Sequence, residues 1–237
     1  LVAGVLHILE RNTFIWSAGG DGSRASSAPR FTVSDWCCGI GGWSFGAQQA
    51  GGVVVSGIES QRRWSSCFEK NFGVDPTGDL RTQVDGAAPL AAPGSIAVQL
   101  ASPEYTVFSQ AGSQRALDCP KAMDDWTQMF LRLAVELPDS IGLENVCGLA
   151  TMHDGSVLAW VLRNLQAVGY ATAWTIGSPW MLGLPFNRPR LFIACLRLDL
   201  ARTSWWARMS PDHWFRLKPG RSYTTARSCL EAFDTPQ

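Results

Sequence analysis

Between Phe31 and Leu196, short runs dominated by Val, Ile, Leu and Ala alternate with longer stretches in which apolar residues recur at helical spacing. That alternation admits few folds, because parallel strands need a long crossover and a helix is the usual one. Strands are expected at Phe31–Cys37, Gly52–Ile58, Thr77–Leu80, Ser95–Leu100, Ile141–Asn145, Tyr170–Ile176 and Leu191–Leu196. Helices are expected near Gly42–Ala50, Gln61–Phe72, Asp118–Leu137 and Gly155–Val168. The expectation is an α/β domain: a doubly wound, mostly parallel sheet with helices on both faces.

At 237 residues and 46% hydrophobic content, the chain has enough apolar surface for one substantial core. Residues 1–30, rich in Ser, Gly, Ala and Arg towards their end, are expected as a disordered or non-native leader. The net charge is zero, yet Phe186–Arg227 holds nine Arg or Lys against only Asp199 and Asp212. A polyanion would sit against that basic end. The seven cysteines, at 37, 38, 67, 119, 147, 195 and 229, have neither paired metal-ligand spacing nor the density of a disulfide scaffold. They fit small core residues in a reduced, intracellular compartment, and no metal site is expected. No apolar run is long enough to span a bilayer.

The segment Asp35-Trp-Cys-Cys-Gly-Ile-Gly-Gly-Trp-Ser-Phe-Gly46 lies between an expected strand and an expected helix. Glycines there let backbone approach a ligand closely, and ligands of such sheets bind at the carboxyl ends of the strands. The next strand ends in Glu59, placed to accept hydrogen bonds from ribose hydroxyls, and Asp79 follows in Gly78-Asp79-Leu80, placed to accept from an adenine amino group. A nicotinamide-dependent oxidoreductase is the competing class. The spacing Gly39-x-Gly41-Gly42-x-x-x-Gly46 lacks the Gly-x-Gly-x-x-Gly that seats a pyrophosphate, so S-adenosylmethionine fits better.

With these motifs the chain resembles the cytosine-5 DNA methyltransferases. Asp35–Gly46 is similar to their first motif, and Pro103-Glu-Tyr-Thr-Val-Phe-Ser109 to their Pro-Pro-Cys-Gln-x-Phe-Ser loop, closer still to a Ser-Pro-Glu-Cys-Thr variant of phage-like and bacterial members. Glu144-Asn145-Val146 matches their Glu-Asn-Val, and Phe186-Asn-Arg-Pro-Arg190 resembles Gln-x-Arg-x-Arg with Phe186 in the glutamine's place. The resemblance implies a Rossmann-like S-adenosylmethionine-dependent methyltransferase domain over 31–198. It implies that Asp35, Cys38, Gly39, Ile40, Gly41, Gly42, Glu59, Asp79, Leu80 and Pro103 hold S-adenosylmethionine. Glu144 would hydrogen-bond and protonate N3 of cytosine, while Arg188 and Arg190 would fix the catalytic loop and the cytosine O2. Double-stranded DNA is the implied partner, with the target base flipped out of the stack. Residues 199–237 are expected as a basic, Trp-rich, truncated remnant of a target-recognition region, with Trp205, Trp206 and Trp214 read as core or interface. Oligomeric state stays open, with a monomer as the default, and restriction-modification, phage and regulatory contexts all fit.

The resemblance also places the nucleophile at position 105, where this chain has Tyr105. Cytosine C5 becomes nucleophilic only after something adds to C6, and in the family a cysteine thiolate makes that addition. A phenol, with a reference pKa of about 10 against about 8.5 for a thiol, is mostly protonated at neutral pH, and its oxygen is less polarizable than sulfur. Three readings follow: a homologue that binds cofactor or DNA without methyl transfer, a changed chemistry, or a point change, since cysteine and tyrosine codons differ by one base.

Overall fold

The computed structural model describes residues 31–76, 78–82, 91–103, 120–182 and 184–203. Tyr105, Cys119, the first thirty residues and Trp205, Trp206 and Trp214 lie outside the described residues.

Strands β1 (Phe31–Trp36), β2 (Gly52–Ile58), β3 (Val98–Ala101), β4 (Ser140–Val146), β5 (Tyr170–Gly177) and β6 (Arg190–Arg197) form one sheet in the order β2-β1-β3-β4-β6-β5. Pairing is parallel from β2 to β4. β6 runs antiparallel to both of its neighbours, β4 and β5. Every strand but β6 therefore points the same way, and the mostly parallel sheet read from the sequence is present.

The helices are α1 (Gly42–Gln49), α2 (Arg62–Phe72), α3 (Pro120–Glu136), α4 (Gly148–Thr151), α5 (Ser156–Ala167) and α6 (Leu198–Thr203). Each long helix buries one stripe, as the 3.6-residue period requires: Val157, Leu158, Val161 and Leu165 on α5, and Trp126, Met129, Phe130 and Leu133 on α3. Helix α2 buries only Phe68 and ends at Gly73, whose left-handed backbone (φ 68°) turns the chain.

Alternation along β1 splits the core in two. Trp36 packs with Trp126, Met129, Leu133, Ile141, Leu143 and Leu165 on one face of the sheet. Val33 packs with Ala47, Val54, Phe68, Val98 and Leu100 on the other. Two apolar clusters sharing the same strands are what helices on both faces demand.

Of the strand expected at Thr77–Leu80, the described residues Gly78–Leu80 form no part of the sheet. Gly78 is left-handed (φ 72°), and Asp79 Oδ1 accepts the backbone N–H of Arg81 at 3.0 Å, so the chain curls into a 3₁₀ turn at Leu80–Thr82. A short polar side chain that captures a nearby amide offers the backbone an alternative to a ladder. Helices α4 and α6 were not foreseen, since four and six residues are too few to show a period.

Candidate functional site

The carboxyl ends of β1, β3 and β4 and the start of β6 meet at an open pocket of about 400 Å³. Cys37, Cys38, Ile40, Gly42, Trp43, Ser102, Glu144 and Phe192 line it. The glycine loop and the Glu-Asn-Val strand, about a hundred residues apart in sequence, thus face one cavity.

The loop leaves β1 through Cys37, a non-glycine residue held at φ 53°, then Gly39 at φ 55° and Gly41 at φ 94°. Glu59, nearly buried at the end of β2, fixes it. One carboxylate oxygen accepts the Gly39 N–H at 2.9 Å and the other the Gln61 N–H at 2.8 Å. A carboxylate has about four lone-pair positions, so two remain for a ligand's hydroxyls.

Asp35 sits behind the loop. The Ser44 hydroxyl donates to its Oδ2 at 2.7 Å, while its buried Oδ1 has no hydrogen-bond partner. Burial lifts its carboxyl from 3.8 to about 7, against the pull of the Ser44 bonds. Folded protein then holds a proton that the unfolded chain has released, so this group's contribution to stability is present below about pH 4 and lost as the pH rises to 7. Between pH 5 and 7 the fall is about 2–3 kcal/mol, and Asp35→Asn should flatten it; urea unfolding of both chains across that range is the measurement.

Glu144 points from β4 into the pocket and pairs with Arg190, whose Nε lies 2.9 Å from its Oε1. Burial pushes the Glu144 carboxyl up, and Arg190, the Ser102 hydroxyl and the more distant Arg188 oppose it. The pairing follows from register: Arg190 lies opposite Val146 and Phe192 opposite Glu144, so the arginine reaches diagonally along one face. Arg188 is exposed, and its backbone N–H donates to Ser178 Oγ at 3.0 Å. Ser178 in turn donates to Asn187 Oδ1 at 2.8 Å, which ties the end of β5 to the approach to β6.

Buried Pro103 accepts the Asn145 Nδ2 at 3.2 Å through its carbonyl. The chain entering position 105 is therefore pinned, two residues upstream, to the strand that carries Glu144. Asp79 has a different setting from Glu59. It forms an ion pair with Arg81, whose Nε also lies 3.3 Å from Asp125 Oδ1 on α3, and neighbouring Leu80 is buried.

The sequence reading did not single out Trp43, Ser102, Asn145 or Phe192. Asn145 was visible within its motif. Phe192 meets Trp43 edge-on at 6.1 Å, a contact between elements far apart in the chain that no local pattern announces. Among the described residues, no His, Cys, Asp or Glu cluster could hold a metal ion, and no helix is long and apolar enough to cross a membrane.

Known proteins resemble this chain in sequence and in fold. M.DsaV of Dactylococcopsis salina, named a Type II methyltransferase, is 31% identical over 163 residues, or 67% of this chain and 44% of its own length. Among solved structures, a candidate DNA modification methyltransferase encoded within an E. coli prophage superposes with a TM-score of 0.60 at 16% identity, over 84% of this chain and 54% of that one. The Dnmt2 methyltransferase of S. pombe superposes with a TM-score of 0.53 at 19% identity, over 71% and 50%. The chain thus spans about half the length of the proteins it matches, and the superpositions establish a fold shared with methyltransferases. The family model for C-5 cytosine-specific DNA methylases matches residues 31–231, and the chain belongs to that family.

Proposed function

We propose that this chain is a DNA (cytosine-5-)-methyltransferase scaffold that binds S-adenosylmethionine and a flipped cytosine of double-stranded DNA, with methyl transfer silenced at Tyr105. The observation that carries the proposal is the single cavity shared by the glycine loop and Glu144. A methyl donor held by Gly39–Gly42 would face a base held by Glu144 and Arg190.

The cofactor fits the residues present. Two free lone-pair positions on Glu59 suit ribose hydroxyls, while buried Asp35 would act from behind the loop, bracing the start of α1 through Ser44. When bound, S-adenosylmethionine supplies an electrophilic methyl group. Cys38, Ile40, Gly41, Gly42, Leu80 and Pro103 would shape the pocket around it, and Asp79 would join only through a lone pair left by Arg81.

Glu144 would act on the base. A carboxyl pushed by burial towards its protonated form can donate to ring N3, and Arg190 beside it limits that push and holds its orientation. Exposed Arg188 would meet the DNA backbone or the catalytic loop. Residues 31–198 would form the catalytic domain, and 199–237 a basic segment towards DNA. Such substrates are met in the cytoplasm of a bacterial or phage-infected cell, in restriction-modification or a related role.

The reading is tested by calorimetric titration of S-adenosylmethionine into the intact chain and into Glu59→Ala. The substitution removes both acceptors that hold Gly39 and Gln61, and it should weaken binding at least about tenfold. Tight NAD binding without S-adenosylmethionine binding would overturn the assignment.

A further inference from the structure

β5 is an edge strand, paired among the described residues only with β6. Its sequence, Tyr-Ala-Thr-Ala-Trp-Thr-Ile-Gly, contains no charge and no proline, and its ladder to β6 runs without a bulge. Stable proteins usually blunt a free edge with lysine, proline or a bulge, because its unpaired amides and carbonyls will accept another strand. β2, the other edge strand among the described residues, differs in that its ladder to β1 carries a register irregularity.

β5 also presents apolar side chains. Trp174 and Ile176 lie opposite Ile193 and Leu191, share their face of the sheet, and remain 47% and 41% exposed. The turn that follows exposes Trp180, Met181, Leu184 and Phe186 by 42–50%. Summed, these six side chains leave on the order of 500 Å² of apolar surface, towards the upper end of what the largest patch of a monomer exposes. Stable dimers bury about 800 Å² per partner, which the backbone edge of β5 brings within reach.

We infer that β5 is a dimerisation strand, pairing antiparallel with the same strand of a second copy of this chain. A two-fold axis normal to the sheet keeps each face on its own side, so one residue must lie opposite itself. With Thr175 on the axis, Trp174 lies opposite the partner's Ile176 and Ile176 opposite the partner's Trp174. The two exposed apolar residues then cover one another on one face, while Ala173 opposite the partner's Gly177 leaves the other face small. The absence of charge matters here, since any charged residue near the axis would meet its own copy. The dimer rests on strand geometry alone, independent of cofactor or DNA.

Sedimentation velocity on the full chain, from about 1 to about 100 µM, tests this. A dimer is expected at the upper end. Thr175→Lys and Thr175→Glu each place like charges directly opposite across the axis, so each alone should raise the dimer Kd at least about tenfold, and an equimolar mixture should dimerise again. Rescue by mixing shows that both variants fold. A monomer at every concentration, or a dimer that persists in either variant alone, would overturn the inference.

Discussion

Tyr105→Cys should raise methyl transfer by this chain steeply. With radiolabelled S-adenosylmethionine and mixed-sequence DNA, the variant is expected to incorporate label on the order of 10³-fold or more above the chain as it stands, because a nucleophile's removal abolishes the step that makes C5 reactive. The variant should also form a covalent adduct with a mechanism-trapping cytosine analogue, while the Tyr105 chain forms none. Pro103 is tied to Asn145 at 3.2 Å, and Glu144 is held by Arg190 at 2.9 Å. An adduct with Tyr105 present would overturn this account of the position. Label from neither chain, with cofactor bound, would move the fault to what the relatives have beyond the half of their length that this chain spans.

Gly41→Ala should be the most damaging small substitution in the cofactor loop. Gly41 sits at φ +94°, and a Cβ built on it falls 2.0 Å from Phe72 Cε2 and 3.1 Å from Phe68. Phe72 cannot easily yield, since it packs on Phe68 with ring centroids 4.7 Å apart while Asn71 donates to the Ile40 carbonyl at 3.0 Å. Left-handed strain of about 1–2 kcal/mol and the overpacking together should cost roughly 2–4 kcal/mol, a drop in melting temperature of roughly 5–15 °C. Gly42→Ala is the internal control. Gly42 has ordinary backbone and nothing within 4 Å of its built Cβ, and it opens α1, so its change should stay within about 0.5 kcal/mol. Equal losses in the two variants would show that the strain and the Phe72 contact do not govern this loop.

Tyr105 was conspicuous in the sequence because the residues flanking it keep their motif. The contact that makes Gly41 costly joins the loop to Phe72, thirty-one residues away in the chain, and only the folded molecule shows it.

The order of strands and helices was written locally, in periods of two and of about 3.6, and so were the motif residues, whose types are fixed by the chemistry they serve. Gly78–Leu80 failed as a strand because the Arg81 N–H donates to the Asp79 carboxylate, a local bond that competes with pairing, and apolar pattern does not register such bonds. Glu59 and Asp79 looked alike as acids at successive expected strand ends. Tertiary structure separated them: Glu59 accepts two backbone amides of its own loop and turn, whereas Asp79 meets the guanidinium of Arg81, itself shared with Asp125 on α3. The sequence by itself determined the fold class, the family and the residue types at the site. The tertiary structure alone decided which of them share a cavity, how burial shifts Asp35 and Glu144, and that β5 is an edge strand among the described residues, because desolvation, close approach and free edges exist only once distant segments have packed.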